Sequence, residues 1–132
     1  MYGNPAEIPA ARTLDADLLI PKRLTISAQG NITQIMKDND FAIEINSFTG
    51  YYRFTHPDLK IEFLTDPGAK SDETVHDFKQ LGVTAQELRY MSIPLSYKQT
   101  ITYKDITLTI PEPEAFTLHK FIVCCYCTPF PL

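Results

Sequence analysis

The chain has 132 residues, which is room for one hydrophobic core but not two. A composition of 44% apolar and 21% charged residues is that of a globular protein and excludes global disorder. A net charge of -4 excludes a general nucleic-acid binder, which needs clustered Lys and Arg against the phosphates, but leaves room for a small polyanion accompanied by a metal ion.

Residues 1–12, rich in Pro and Ala, read as a loop. They lack the basic start and apolar stretch of a signal peptide. Residues 14–20 read as a strand closed by Pro21, largely buried because Leu14, Ala16, Leu18, Leu19 and Ile20 dominate it. Residues 22–30 read as irregular. Residues 31–39 begin with a capping Asn31 and place Ile32, Ile35 and Met36 on one helix face. The period then changes from 3.6 to 2. Phe41, Ile43 and Ile45, then Tyr52 and Phe54, then Leu59, Ile61 and Phe63 alternate with polar neighbours, predicting three antiparallel strands joined by short turns. Residues 66–71 read as a Pro/Gly loop and residues 72–81 as a short polar helix ended by Gly82. Residues 100–103 and 106–110 form a hairpin around Lys104-Asp105, and residues 111–123 a helix with Pro113 and Glu114 in its first turn. Residues 124–132 form a fraying tail. No window holds the roughly 18 apolar residues of a membrane helix. All three cysteines, Cys124, Cys125 and Cys127, lie at the C-terminal end, so no disulfide framework is expected and a reducing, cytoplasmic setting is. The whole is an α/β (α+β) domain: one mixed, largely antiparallel sheet flanked by helices.

Three acids conflict with their surroundings. Asp15 and Asp17 sit two apart in a strand, so their carboxylates share a face and repel each other unless a cation or water intervenes. Glu62 lies within the apolar run of residues 60–64. If its strand neighbours that of Asp15, three carboxylates meet, an oxygen-rich set suited to Mg²⁺ or Mn²⁺ and to two-metal chemistry. Period alone equally allows Glu62 to face solvent on a half-exposed strand.

These residues carry a family resemblance. Arg12-Thr13-Leu14-Asp15-Ala16-Asp17-Leu18-Leu19 resembles the T-x-D-x-D strand of the DNA polymerase β-like nucleotidyltransferase superfamily. Ile61-Glu62-Phe63-Leu64-Thr65-Asp66-Pro67 is similar to the (D/E)-F-L-T-P segment of an uncharacterised bacterial group with that fold. Leu81-Gly82-Val83-Thr84-Ala85-Gln86 and the run from Ile110 to Val123, with its P-x-P-x-x-F-x-x-H-K pattern, resemble two further segments of the group. The resemblance implies Asp15, Asp17 and Glu62 as catalytic metal ligands, Arg12, Thr13 and Lys120 as nucleotide contacts, and an NTP as substrate. The acceptor would be a protein, an RNA or a small molecule. His119 matches the helix motif and also fits a hydrogen-bonded packing residue.

Two departures stand out. The superfamily's Gly-Ser turn, whose backbone N–H groups cradle phosphates, has no counterpart beyond Gly3-Asn4. The expectation is that Met1 lies downstream of it and that the chain stops early at the cysteines. Such a copy would bind nucleotide weakly and self-associate. The alternatives to an active transferase are a catalytically inactive interaction module, homo-oligomeric in form, and a toxin–antitoxin component. Cys124 and Cys127 lack the further ligands of a zinc site. The aromatics Tyr51, Tyr52 and Phe54 read as strand packing rather than base stacking.

Overall fold

The computed structural model describes residues 13–24, 30–68 and 74–127. The predicted N-terminal loop, Arg12, Gly3-Asn4 and residues 128–132 lie outside these. In chain order the elements are β1 (Asp15–Leu19), α1 (Ile32–Asp38), β2 (Ala42–Ile45), β3 (Tyr52–His56), β4 (Leu59–Thr65), β5 (Val75–Phe78), β6 (Val83–Glu87), α2 (Ser92–Ser96), β7 (Lys98–Tyr103), β8 (Ile106–Pro111) and α3 (Pro113–Cys127). Six strands make one curled sheet in the order β2-β3-β4-β6-β5, with β1 joined to β4 outside that path. β1 and β6 run parallel to β4, and the other pairings are antiparallel. The fold is therefore α+β, mixed and mostly antiparallel. No helix among the described residues is long and apolar enough to cross a membrane.

Alternation along the central strands decides which face is buried. Phe54 of β3 and Val83 of β6 are fully enclosed, with Ile61, Phe63, Phe78, Ala85 and Ile20 around them. Phe54 meets Tyr52 and Phe63 edge to face, with ring centroids 5.7 and 6.0 Å apart. Helix α1 covers this face with Ile32 and Met36. Its start is fixed twice over: the Asn31 side chain accepts the Gln34 N–H at 3.0 Å, and the Ile32 N–H donates to the Leu81 carbonyl at 2.8 Å. Gly82 is required beneath that cap, because its φ is +66° and a Cβ there would lie 2.9 Å from Asn31 Oδ1. Its carbonyl accepts from the Thr33 and Tyr52 hydroxyls.

Of the segment expected as a polar helix over residues 72–81, the described part, from Thr74 on, is instead strand β5 followed by a turn at residues 79–82. Val75, His76, Asp77 and Phe78 pair with Gln86, Ala85, Thr84 and Val83, and Phe78 is buried in the core. A cross-strand partner and a core position outweigh weak local helix preference here. The first strand also differs from its expectation. β1 pairs only with β4 among the described residues, and Leu14 and Leu18 are exposed rather than buried. The β7–β8 hairpin stands apart as a two-stranded sheet, with Ile101, Tyr103, Ile106 and Leu108 all exposed.

A half-buried ionic clasp, with Glu87 enclosed and Lys22 partly exposed, closes the exit of β1. Lys22 Nζ donates to Glu87 Oε1 at 2.9 Å and to the Pro67 carbonyl at 2.9 Å, and the Thr74 hydroxyl donates to Glu87 Oε2 at 2.6 Å. Burial alone would raise the Glu87 carboxyl. The hydrogen bonds from Lys22 and Thr74, with the Lys22 and His76 charges, outweigh it, and the pKa falls below the usual value.

Two outcomes follow from this packing. Phe54→Ala should lower unfolding free energy by about 3–5 kcal/mol in urea titrations, as for other enclosed aromatics. Because the folded Glu87 pKa is depressed, its stabilisation is present above the unfolded value near ~4.3 and is lost as pH falls through the folded one. Melting curves from pH 7 downwards should show Glu87→Gln less stable than wild type at neutrality, with the gap closing along the acid limb. A gap independent of pH would show that the carboxylate charge contributes nothing.

Candidate functional site

Parallel pairing of β1 with β4 sets Asp15 opposite Lys60 and Asp17 opposite Glu62. Partners in such a ladder point to the same side, so Asp15, Asp17 and Glu62 share the sheet face opposite to Ile61 and Phe63. The row continues into the antiparallel half. The Arg53 guanidinium of β3 reaches Glu62 Oε1 from Nη1 at 3.3 Å, and its Nε donates to Glu44 Oε2 of β2 at 2.7 Å. Four strands therefore carry Asp17, Glu62, Arg53 and Glu44 side by side. One step away, Lys60 Nζ is 3.0 Å from Asp15 Oδ1.

The electrostatics reflect this crowding. Asp17 has its pKa raised above the usual range, first by desolvation, then by the Glu62 charge and, more weakly, by Asp15. Lys120 of α3 is the largest opposing influence, so the last helix brings an ammonium into the field of Asp17. The same ammonium sits 5.4 Å from the Phe116 ring centroid. Tyr51 lies on the carboxylate face and its hydroxyl donates to the Phe63 carbonyl at 3.4 Å. Burial, followed by the Glu62 charge, pushes its pKa up to about 12. Arg53 and Lys60 are both raised, chiefly by their hydrogen bonds to Glu44 and to Asp15.

The remaining sequence candidates fall in different places. Thr13 is exposed, and its hydroxyl serves the start of β1: it donates to the Asp15 carbonyl at 2.8 Å and accepts the Asp15 N–H at 3.3 Å. Arg12 lies outside the described residues. His119 is buried, with Nε2 placed 3.2 Å from the Arg89 carbonyl as a donor, and so packs α3 rather than joining the carboxylates. Among the described residues no three His, Cys, Asp or Glu side chains close on one point, with Glu62 turned to Arg53 and Asp15 to Lys60. Arg53 and Glu44 were not singled out from the sequence. The available signal was a charged residue alternating with Tyr52 and Phe54 on one strand, and another alternating with Ile43 and Ile45 on its neighbour.

A family model described as Nucleotidyltransferase matches residues 3–126, nearly the whole chain. The chain belongs to that family. No curated protein and no solved structure matches it.

Asp17 supplies a test of the crowding. A carboxyl whose folded pKa is raised costs stability as pH climbs from the unfolded value, near ~3.9, through the folded one. In metal-free buffer Asp17→Asn should therefore melt higher than wild type at pH 7, with the gain disappearing toward pH 4. An unchanged melting temperature at pH 7 would mean that the carboxylates do not burden one another.

Proposed function

We propose that this family member transfers a nucleotidyl group from an NTP to an acceptor, using Mg²⁺ or Mn²⁺ held by Asp15, Asp17 and Glu62. The observation that carries the reading is the in-register β1–β4 pairing, which puts these three carboxylates at adjacent positions on one face. The donor set fits such a cation chemically: it is all oxygen and anionic, and the raised proton affinity of Asp17 is relieved by any positive charge brought between the acids. The cation would lower the pKa of the attacking group and neutralise the phosphates.

The chain's own residues account for the rest. An acceptor hydroxyl loses its proton to solvent as its oxygen attacks the α-phosphorus in line, the bond from that phosphorus to the oxygen bridging to the β-phosphorus breaks, and pyrophosphate leaves. Lys120, whose charge acts on Asp17, would meet a phosphate oxygen, and Arg12 and Thr13 would be further nucleotide contacts. The acceptor is a protein, an RNA or a small molecule.

A second reading, an inactive copy serving as an interaction module, is favoured by one observation: Arg53 and Lys60 already neutralise two of the three carboxylates. Incubation with labelled NTP and Mn²⁺ separates the two. Under the first reading Asp15→Asn, Asp17→Asn and Glu62→Gln each lower nucleotidyl transfer by more than about 100-fold, since even residues that merely support metal ligands cost ~10–100-fold. A wild-type chain that neither labels any acceptor nor binds Mn²⁺ in calorimetry would leave the interaction module standing.

A further inference from the structure

Arg53 touches Glu62 and Glu44 at once, and the two contacts are unequal. The bond to Glu44 is 2.7 Å and the one to Glu62 is 3.3 Å. Glu44 is also the more exposed partner, so the guanidinium is anchored at the outer side of the row and reaches inward. Arg53 and Glu44, with Ile45, Asn46 and Tyr51, line a cavity of about 220 Å³. The guanidinium thus has space to leave Glu62 while keeping Glu44. Its place between the two acids follows from register, with Arg53 paired to Glu44 and the next residue, Phe54, paired to Ile61 beside Glu62, and its reach to both from the planar fork of donors, which Lys lacks.

We infer that Arg53 is a positioning residue that serves as an exchangeable counter-ion. It neutralises Glu62 while the site is empty and swings wholly onto Glu44 when a divalent cation claims Glu62. This rests on the metal-dependent reading above. Glu44 is the second half of the device, because it gives the displaced guanidinium a place to go. The physical logic is competition. Three carboxylates on one face repel one another, and a resident cation lowers that repulsion without closing the site. Its contact with Glu62 is long and partly solvated, so it is weak enough to yield.

Competition predicts a pattern of Mn²⁺ affinities, read by calorimetry and by the spin-resonance signal of free Mn²⁺, at 0.15 M salt to screen distant charges. Arg53→Gln should bind Mn²⁺ about two- to fivefold more tightly than wild type, the range that a surface ion pair can hold back. Glu44→Gln should bind it more weakly, because Arg53 then rests on Glu62 alone. The double variant should bind like Arg53→Gln, since Glu44 acts only through Arg53. Arg53→Lys should fall between wild type and Arg53→Gln, because one ammonium cannot hold both carboxylates as the fork does. A double variant restored to wild-type affinity would mean that the two charges act independently through space, and would overturn the exchange. Wild-type Mn²⁺ binding unaltered by any of these changes would overturn it while sparing the metal-dependent reading. Absence of Mn²⁺ binding in every variant would overturn both.

Discussion

Parallel strands cannot be joined by a tight turn, so the β1–β4 ladder has to be made at long range, after α1 and the β2–β3 hairpin have come between. Everything at the candidate site depends on that one pairing. Its register is set at both ends. At the start, the Lys60 N–H donates to the Leu14 carbonyl at 2.7 Å, and at the finish the Ile20 N–H donates to the Leu64 carbonyl at 2.8 Å. Beyond the ladder the enclosed Thr65 hydroxyl donates to the Ile20 carbonyl at 2.7 Å. A slip of one residue would turn Ala16 outward and drive Asp15 and Asp17 into the core beside Phe54. The hydrophobic face therefore specifies the register, and the register assembles the carboxylates.

That arrangement has an electrostatic cost, and the sheet offsets it with neighbours. Asp17 and Glu62 are directly paired like charges, an unfavourable cross-strand combination. Arg53 answers Glu62 from one side, Lys60 answers Asp15 from beside it, and Lys120 answers Asp17 from α3. The three cations come from three different elements, so no local sequence run looks charge-balanced. By contrast, Glu87 is satisfied by Lys22 and Thr74 within hydrogen-bonding distance and has its pKa lowered. A carboxyl is thus held ionised on β6 and pushed toward protonation on β1. The difference lies in whether partners donate directly or only compete with other acids.

The sequence was most informative where one residue's chemistry contradicted its surroundings. Asp15 and Asp17 share a face because of strand geometry, and Glu62 is conspicuous within an apolar run, so both could be singled out without knowing the pairing. The three-strand meander and the Lys104-Asp105 hairpin were legible from alternation, and the Asn31 cap from residue type. What stayed hidden depended on partners far away in the chain. Val75 to Phe78 has too few residues to show a period and reads as polar, yet it is a strand because Val83 to Glu87 lies beside it. The exposure of Leu14 and Leu18 follows from β1 having one strand neighbour among the described residues, a property of topology and not of composition. Arg53 had the look of an ordinary solvated strand residue. Its importance appears only when β2, β3 and β4 are laid side by side.

His119 and Lys120 show how packing and chemistry are linked through adjacent residues. Successive positions on a helix point about 100° apart, so one can be buried while the next faces the site. His119, with Ala115 one turn before it, is buried on the packed side of α3, and the imidazole donates to the carbonyl of Arg89, just ahead of the buried Met91 and α2. That hydrogen bond restrains α3 both in rotation and along its axis, since a carbonyl on a tight turn offers one narrow approach. Among the described residues Lys120 has no such anchor, only its loose contact over Phe116 and the attraction of Asp17. The position of the ammonium near the carboxylates is therefore inherited from the histidine beside it. A histidine that touches none of the acids still bears on their charge, by deciding which way the next side chain points.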